Sequence, residues 1–256
     1  MTTTSITVDG SALVWHLLGR ADDALVLGHR LSEWTGHAPA LEEELALANI
    51  ALDLIGQARA IYGYTGTLSG HTEDQLAYLR DVPAWRNSLL VELPNGDFAV
   101  TIARLLLFSA FADPLWRAAT TSTDAMIAAI AAKAEKETAY HVRHAAEWLI
   151  RLGDGTAESH RRAQDALDDL WPYTGELFTI AETDAALIAG GTIADPASLR
   201  ATWDATVDAT LSRATLVRPE DRWMQSGGRK GQHTEHLGHL LAEMQYLQRS
   251  YPGATW

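Results

Sequence analysis

Apolar residues recur along most of this chain at the spacing of amphipathic α-helices. An apolar stretch follows Asp22 and Asp23 and continues to Trp34, where the turn-forming sequence TGHAP comes next. Acidic residues are common at helix starts, and Gly with Pro is typical of helix ends. The pattern therefore predicts a first helix that begins near the two aspartates and ends near residue 34.

The second predicted helix, residues 41–64, is apolar on nearly every side. One stripe of apolar residues follows the helical repeat and contains Leu41, Leu45, Ala48, Leu52 and Ile55. A different face contains Leu47, Ile50, Leu54 and Ile61. A helix of this kind is expected to lie at the centre of a bundle or to pack against a partner.

The rest of the chain also has a helical pattern. A short helix broken by Pro83 is predicted within SGHTEDQLAYLRDVPAWRN, and a third long helix within FAVTIARLLLFSAFADPLW. A fourth is predicted at residues 125–152, and further helices within ESHRRAQDALDDLW and at residues 196–217 and 233–249. No strand pattern or βαβ alternation is found. We therefore predict one all-α domain over residues 1–256, a four-helix bundle with additional C-terminal helices, with residues 1–10 flexible.

Composition limits the functions that this domain can have. The net charge of −13 argues against binding to nucleic acid or to anionic membranes. The start of the chain has no pattern of a signal peptide, and uninterrupted apolar runs such as LLLFSAFA are shorter than a membrane span. The absence of Cys excludes thiolate ligands and Cys nucleophiles. A soluble, cytoplasmic protein is expected.

The fourth helix contains half of a possible metal site, because Glu137 and His141 share one face. A carboxylate-bridged di-iron site in a bundle needs a Glu from each of two helices and a Glu-x-x-His pair from each of the other two. The first helix offers Glu33. The second offers Glu44 and Asp53 without a following His, and at the expected pair position it has Leu54 and Gln57.

The third and fourth helices complete too little of this ligand set. Residues 98–112 contain no carboxylate, and the residue three positions after Glu137 is Tyr140 rather than His. We therefore predict no metal site in this chain. Glu137 and His141 are interpreted as a buried hydrogen-bonded pair, since buried polar groups that lack a metal need other partners.

Two weaker candidates lie near the C-terminus. His233, Glu235, His236, His239 and Glu243 are metal ligands by type, but their spacing matches no specific motif. The sequence GGRKG, with Arg229 and Lys230, could hold a phosphate at a helix start, although it lacks the P-loop form. A flexible basic connector is the simpler interpretation.

Several long segments resemble one known family. They are DDALVLGHRLSEWTGHAPALEEELALANIALDLIGQAR, VELPNGDFAVTIARLLLF, KETAYHVRH, RLGDGTAESHRRAQDALDDLWPYTGELF and GGRKGQHTEHLGHLLAEMQYLQRSYPG. Together they are similar to the non-catalytic C subunits of bacterial phenylacetyl-CoA 1,2-epoxidase complexes. The resemblance extends over nearly the whole chain, from about residue 13 to residue 256.

The resemblance implies a ferritin-like fold and a structural role in aerobic phenylacetate catabolism. The implied partners are a catalytic paralogue with the di-iron centre and the acyl-CoA site, a small bridging subunit, and a reductase with FAD, a [2Fe-2S] cluster and NADPH. No catalytic, cofactor-binding or metal-binding residue is expected in this chain, because Leu54 and Gln57 replace the Glu and His of the active subunit. The alternative is a self-sufficient di-iron oxygenase or ferroxidase.

The resemblance also suggests which residues contact the partners. Arg229 and Lys230 are expected to approach the partner or its bound CoA. The candidate anchors of the interface are the tryptophans, most of which are expected in the core: Trp15, Trp34, Trp85, Trp116, Trp148, Trp171, Trp203, Trp223 and Trp256.

Overall fold

The computed structural model describes residues 5–254, and its regular structure is helical, with no strand in that range. The α-helices in chain order are α1 (Ala12–Ser32), α2 (Leu41–Ser69), α3 (Glu73–Tyr78), α4 (Leu89–Glu92), α5 (Phe98–Ala119), α6 (Ala125–Gly153), α7 (Ala157–Leu170), α8 (Ala185–Ala189), α9 (Arg200–Arg213) and α10 (Glu235–Ser250). Short 3-10 turns lie between several of them, including one at Val82–Ala84 that contains the predicted helix breaker Pro83.

The four long helices form the bundle. Helix α1 packs along α2, α5 packs along α6, and α2 also contacts α6. Short connections at residues 33–40 and 120–124 join the helices within each pair. The additional helices cover this bundle, with α7 and α9 against α5 and α6, and α10 against α3 and α4. The predicted all-α, ferritin-like bundle with additional C-terminal helices is confirmed.

Helix α1 begins earlier than the sequence pattern predicts. It starts after Ser11, whose hydroxyl accepts a hydrogen bond from the N–H of Val14, and it ends at Ser32. Asp22 and Asp23 lie in the middle of the helix and are buried. The predicted start was wrong because these carboxylates do not cap the helix; they bind buried arginines from distant parts of the chain.

The other long helices lie close to their predicted positions. Helix α2 continues past the predicted end to Ser69, where Gly70 takes the left-handed conformation that often ends helices. Asp97 and Asp124 cap α5 and α6 by accepting hydrogen bonds from N–H groups of the first turns. Helix α6 ends at Gly153, in agreement with the prediction.

Helix α5 is the most deeply buried element of the bundle. It is the one helix of the described range that is long and apolar enough to cross a membrane, with a mean hydropathy of 1.6 over its best window. However, 78% of that window is buried inside the protein. Its composition is therefore explained by its neighbours in the bundle, which cover it.

The tryptophans divide between the core and the surface. Trp85, Trp171 and Trp203 are among the largest fully buried side chains, whereas Trp223 is 73% exposed. Residues 1–4 and 255–256 lie outside the described range, and with them Trp256 and part of the segment expected to be flexible. Within the remainder of that segment, Val8 is buried and the Ile6 N–H donates to the carbonyl oxygen of Leu79 at 2.9 Å.

Helix α2 buries only one of its two apolar faces. Leu47, Ile50, Leu54 and Ile61 lie in the core, as the pattern suggests. Leu41, Leu45 and Leu52 on the other stripe are exposed. Residues 5–254 by themselves therefore leave uncovered one of the two faces that the sequence predicts to be packed.

Candidate functional site

The candidate site lies between α2 and α6, where the predicted half-site was located. The amide of Gln57 donates a hydrogen bond to Oε2 of Glu137 at 2.9 Å. The other carboxylate oxygen of Glu137 lies 3.3 Å from the ammonium group of Lys133, one turn away on α6. Both oxygens of the only predicted metal-binding carboxylate on α6 are therefore directed at nitrogen donors.

The two histidines of α6 also contact α2. Nε2 of His141, a buried residue, lies 3.1 Å from a carboxylate oxygen of Asp53. His144, one turn later, lies 3.4 Å from the carboxylate of Glu43. Burial lowers the pKa of His144, and the charge of Glu43 partly offsets this effect. The contact of His141 with Asp53 joins α6 to α2, whereas Nε2 of His144 and the facing oxygen of Glu43 are buried with no hydrogen bond among the described residues.

The predicted pairing of Glu137 with His141 was wrong. The two residues share a face of α6, but each finds its partner on α2 rather than in the other. Side chains one turn apart point in nearly the same direction, so Glu137 and His141 both face α2, where Gln57 and Asp53 lie within hydrogen-bonding distance. Sequence spacing showed that both residues face α2, but it could not identify the residues opposite them.

The remaining positions of the expected ligand set do not fit a di-iron centre. Leu54 is an apolar core residue, and Gln57 offers an amide instead of an imidazole. Glu33 lies away from this site at the end of α1, where its carboxylate binds Arg30 and Asn95. Among residues 5–254, no three His, Cys, Asp or Glu side chains form a group that could hold a metal ion.

The buried face of α5 carries one charged side chain, Arg104, between residues 98 and 112. Arg104 is fully buried, and its guanidinium donates to the carbonyl oxygens of Leu93 and Pro94 and to the side-chain oxygen of Asn95. Burial lowers the pKa of Arg104 to about 9, and the nearby charge of Arg30 adds to this effect. The side chain ties α5 to the turn that precedes it.

Glu137→Ala is expected to lower the free energy of unfolding by about 1–2 kcal/mol, because the buried amide of Gln57 would lose its acceptor. Chemical denaturation of the purified chain measures this change. Glu147→Ala, an exposed position on the same helix, is the matched control. An equal effect of the two substitutions would contradict the assigned role of Glu137.

The histidine-rich C-terminal segment does not form a cluster. The side chain of His233 is fully buried and contacts the carboxylate of Glu92 at 2.8 Å and the carbonyl oxygen of Trp85 at 3.1 Å. Glu235, His239 and Glu243 are exposed on α10, and His236 is half-buried. The candidate ligands therefore point in different directions, and only His233 has an internal role.

The GGRKG turn is closed by a carboxylate of the protein itself. Glu176, which is buried, accepts hydrogen bonds from the N–H groups of Leu89, Gly227 and Arg229 at 2.8–3.2 Å. A carboxylate thus occupies the place where the sequence suggested a phosphate. The turn is part of the packed structure and not a flexible connector.

Arg229 and Lys230 have different environments. The guanidinium of Arg229 binds the carboxylate of Asp23 at 2.6 Å and the carbonyl oxygens of Gly19 and Arg86 at 2.9 and 2.8 Å. The expectation that Arg229 approaches a partner or CoA was therefore wrong, since its donors are satisfied within the chain. Lys230 is exposed, and its contact with a partner stays a prediction.

Sequence reasoning missed a fully buried ion pair. Asp22 and Arg80 form a bidentate ion pair at 2.5 and 3.0 Å, and both side chains are fully buried. The hydroxyl of Tyr62 donates to the same carboxylate at 2.5 Å. Two adjacent aspartates within an apolar helix were the available signal, because such residues are rarely buried without partners.

Comparison with known proteins agrees with this architecture. The family described as "Phenylacetic acid catabolic protein" matches residues 1–256. The C subunit of the 1,2-phenylacetyl-CoA epoxidase of Escherichia coli (strain K12) is 50% identical over 245 residues, which cover 95% of this chain and 99% of that protein. The similarity thus includes all four bundle helices and the C-terminal helices. We conclude that this chain belongs to the phenylacetic acid catabolic protein family.

Proposed function

We propose that this chain is the non-catalytic structural subunit of a phenylacetyl-CoA epoxidase. It pairs with the catalytic di-iron subunit, a paralogue of the same fold, and stabilises it in aerobic phenylacetate catabolism. The similarity to the C subunit of such an epoxidase supports the assignment to this enzyme. In this proposal the small bridging subunit and the reductase complete the assembly in the cytoplasm.

One observation carries the non-catalytic part of the proposal. At the place where a bundle of this kind would hold its metal, Glu137 is bonded to Gln57 and Lys133, His141 contacts Asp53, and Leu54 fills the core. These polar groups satisfy one another without a metal, and an amide or an aliphatic side chain does not supply the ligands that a di-iron centre needs.

The proposal predicts what the purified chain does alone and with its partner. Alone, it should hold no stoichiometric iron after anaerobic iron loading, and it should consume neither NADPH nor O₂ with phenylacetyl-CoA and the reductase. Co-expressed with the catalytic subunit, it should elute from gel filtration as an equimolar complex. The complex should be active with the reductase and the bridging subunit.

The controls separate the two classes of function. The catalytic subunit expressed alone shows how much of its solubility and activity depends on this chain. Turnover by the isolated chain, with two bound irons, would establish the alternative of a self-sufficient oxygenase or ferroxidase. Failure of the two chains to co-elute would contradict the structural role directly.

A further inference from the structure

The outward stripe of α2 is an apolar surface that the described residues leave open. Leu41, Leu45 and Leu52 are 70%, 58% and 66% exposed. With Ala48 and Ile55 between and after them, they follow the alternating spacing of four and three residues that defines a coiled-coil seam. Single exposed leucines are ordinary, but a seam of this kind is typical of a helix that packs against another helix.

The exposed side chains in the second half of α2 differ from the leucines of the first half. The next position of the stripe is Arg59, which pairs with Glu73, and beside it lie the small residues Gly56, Ala60 and Gly63. A side chain added at Gly63 would meet no atom within 4 Å, and one added at Gly56 would meet only the end of Lys133 at 3.9 Å. Glycine weakens a helix interior relative to alanine, and nothing among the described residues requires it at these positions.

A cleft adjoins the small residues. It has a volume of about 230 Å³ and lies between α2 and α6, with Gly56, Ala60, Ala129 and Ile130 among its walls. The exposed leucines in the first half of α2 project from the surface of the protein. The cleft forms a recess next to them, beside the second half of the helix. A second helix pair related by an approximate two-fold axis could place its own projecting side chains in the cleft.

The dimensions of this surface suit a stable interface. From Leu41 to Gly63, α2 extends about 33 Å at about 1.5 Å per residue. With the exposed side of α6 roughly 10 Å away, the two helices present on the order of 600 Å². Stable complexes bury roughly 600–1,000 Å² on each partner, so the surface is large enough to be the central part of such a contact.

Charges on the two helices indicate the kind of partner. Glu42 and Glu44 flank Leu41 and Leu45 at the start of α2 and Arg59 follows further along, whereas Lys133, Lys136 and Arg143 are exposed on α6. A partner that presents the same two-helix pattern in the opposite direction would set acidic residues against basic ones. The shape and the charges therefore both favour a second bundle of this fold.

We propose that the outer face of α2 and α6, centred on Leu45 and Leu52, is the surface that docks the catalytic paralogue. This inference rests on the function proposed above and names the surface on which that function depends. The uncovered apolar face of α2 is buried in the complex, and the recess near Gly56 and Gly63 lets the helix of the paralogue approach closely.

The test compares substitutions on this face with a matched one elsewhere. The double variant Leu45→Glu with Leu52→Glu is expected to weaken binding to the catalytic subunit by about 100-fold or more, because two central apolar contacts would be replaced by charges. Gly63→Tyr should fold, since its side chain meets open space, and should also weaken binding. Leu247→Glu, at an exposed leucine on α10, should leave the dissociation constant unchanged.

Affinities are measured by titration of the purified catalytic subunit, after circular dichroism and thermal denaturation have shown that each variant is folded. If the wild-type chain binds and the variants bind equally well, the proposed surface is wrong and the structural role stands. If the wild-type chain does not bind, both proposals fail. If the substitutions dissociate a homodimer of this chain but leave binding to the catalytic subunit intact, the surface belongs to a second copy and the proposal is overturned.

Discussion

Asp22→Ala is expected to lower the free energy of unfolding by about 3–5 kcal/mol, the cost of leaving a buried charge without its partner. The carboxylate of Asp22 accepts two hydrogen bonds from Arg80, one from Tyr62 and one from the N–H of Arg86. Its removal would leave the guanidinium of Arg80 fully buried and uncompensated. Urea denaturation monitored by circular dichroism measures the change.

The electrostatics of this group explain why the expected loss of stability is large. Burial tends to lower the pKa of Arg80, but the charge of Asp22 and the hydrogen bonds with Asp22 and Tyr62 outweigh this effect and raise it. Burial and the charge of Asp22 also raise the pKa of Tyr62 well above its usual value, so the phenol remains a hydrogen-bond donor. Both partners thus stay in the form that binds the carboxylate at neutral pH.

A matched control uses a surface ion pair on another helix. Asp165 pairs with Arg161 at 2.7 Å, and both side chains are more than half exposed. Asp165→Ala should change the stability by less than about 1 kcal/mol, because solvent screens exposed pairs. If Asp22→Ala had an effect as small as that of Asp165→Ala, the buried pair would not have the role assigned to it.

Glu92→Ala is expected to have a similarly large effect, about 3–5 kcal/mol, because three nitrogen groups that contact its buried carboxylate would lose their partner. Both ring nitrogens of His233 face oxygen acceptors, from Glu92 at 2.8 Å and from the carbonyl of Trp85 at 3.1 Å. Without Glu92, the buried ring of His233 would lose its partner at Nδ1.

Glu92 also accepts hydrogen bonds from the side chain of Asn87 and from the N–H of Thr234. The substitution would therefore weaken the attachment of the start of α10 to the segment between α3 and α5. Chemical denaturation of the variant measures the resulting decrease in the free energy of unfolding. Glu243→Ala on the exposed side of α10 is the control, with an expected change within about 0.5 kcal/mol. Equal stabilities of the two variants would contradict the role assigned to Glu92.

These two groups have a common structural consequence. The buried side chains of Asp22, Arg80, Glu92 and His233 join α1, the segment before α5 and the start of α10. Tyr62 extends the first group to α2.

Much of the fold could be predicted from the sequence, because helices with a strong apolar period are local features. The limits of α5 and α6 follow from Asp97, Asp124 and Gly153, whose caps involve only neighbouring residues. The start of α1 could not be predicted in this way. Asp22 and Asp23 resemble a helix start, and only the arginines that bind them from residues 80 and 229 show that they lie in its interior.

At the candidate site, too, local features could be predicted from the sequence and contacts between distant residues could not. The sequence placed Glu137 and His141 on one face of α6, and it showed that Leu54 and Gln57 occupy the position of a Glu-x-x-His pair. Which groups bind them was decided by the packing of α2 against α6, which brings Gln57 and Asp53 within hydrogen-bonding distance. A pairing between distant segments depends on the relative position of two helices, which residue spacing within either helix does not specify.

The sequence by itself determined the helical class, the four long helices and the presence of two apolar faces on α2. Each of these depends on the periodicity of side chains along one segment. The tertiary structure alone decided which face of α2 is buried, that Arg229 points inward to Asp23, and that Glu176 closes the GGRKG turn. The physical reason is that burial and ion pairing are set by contacts between residues far apart in the chain, and these contacts exist only once the bundle has formed.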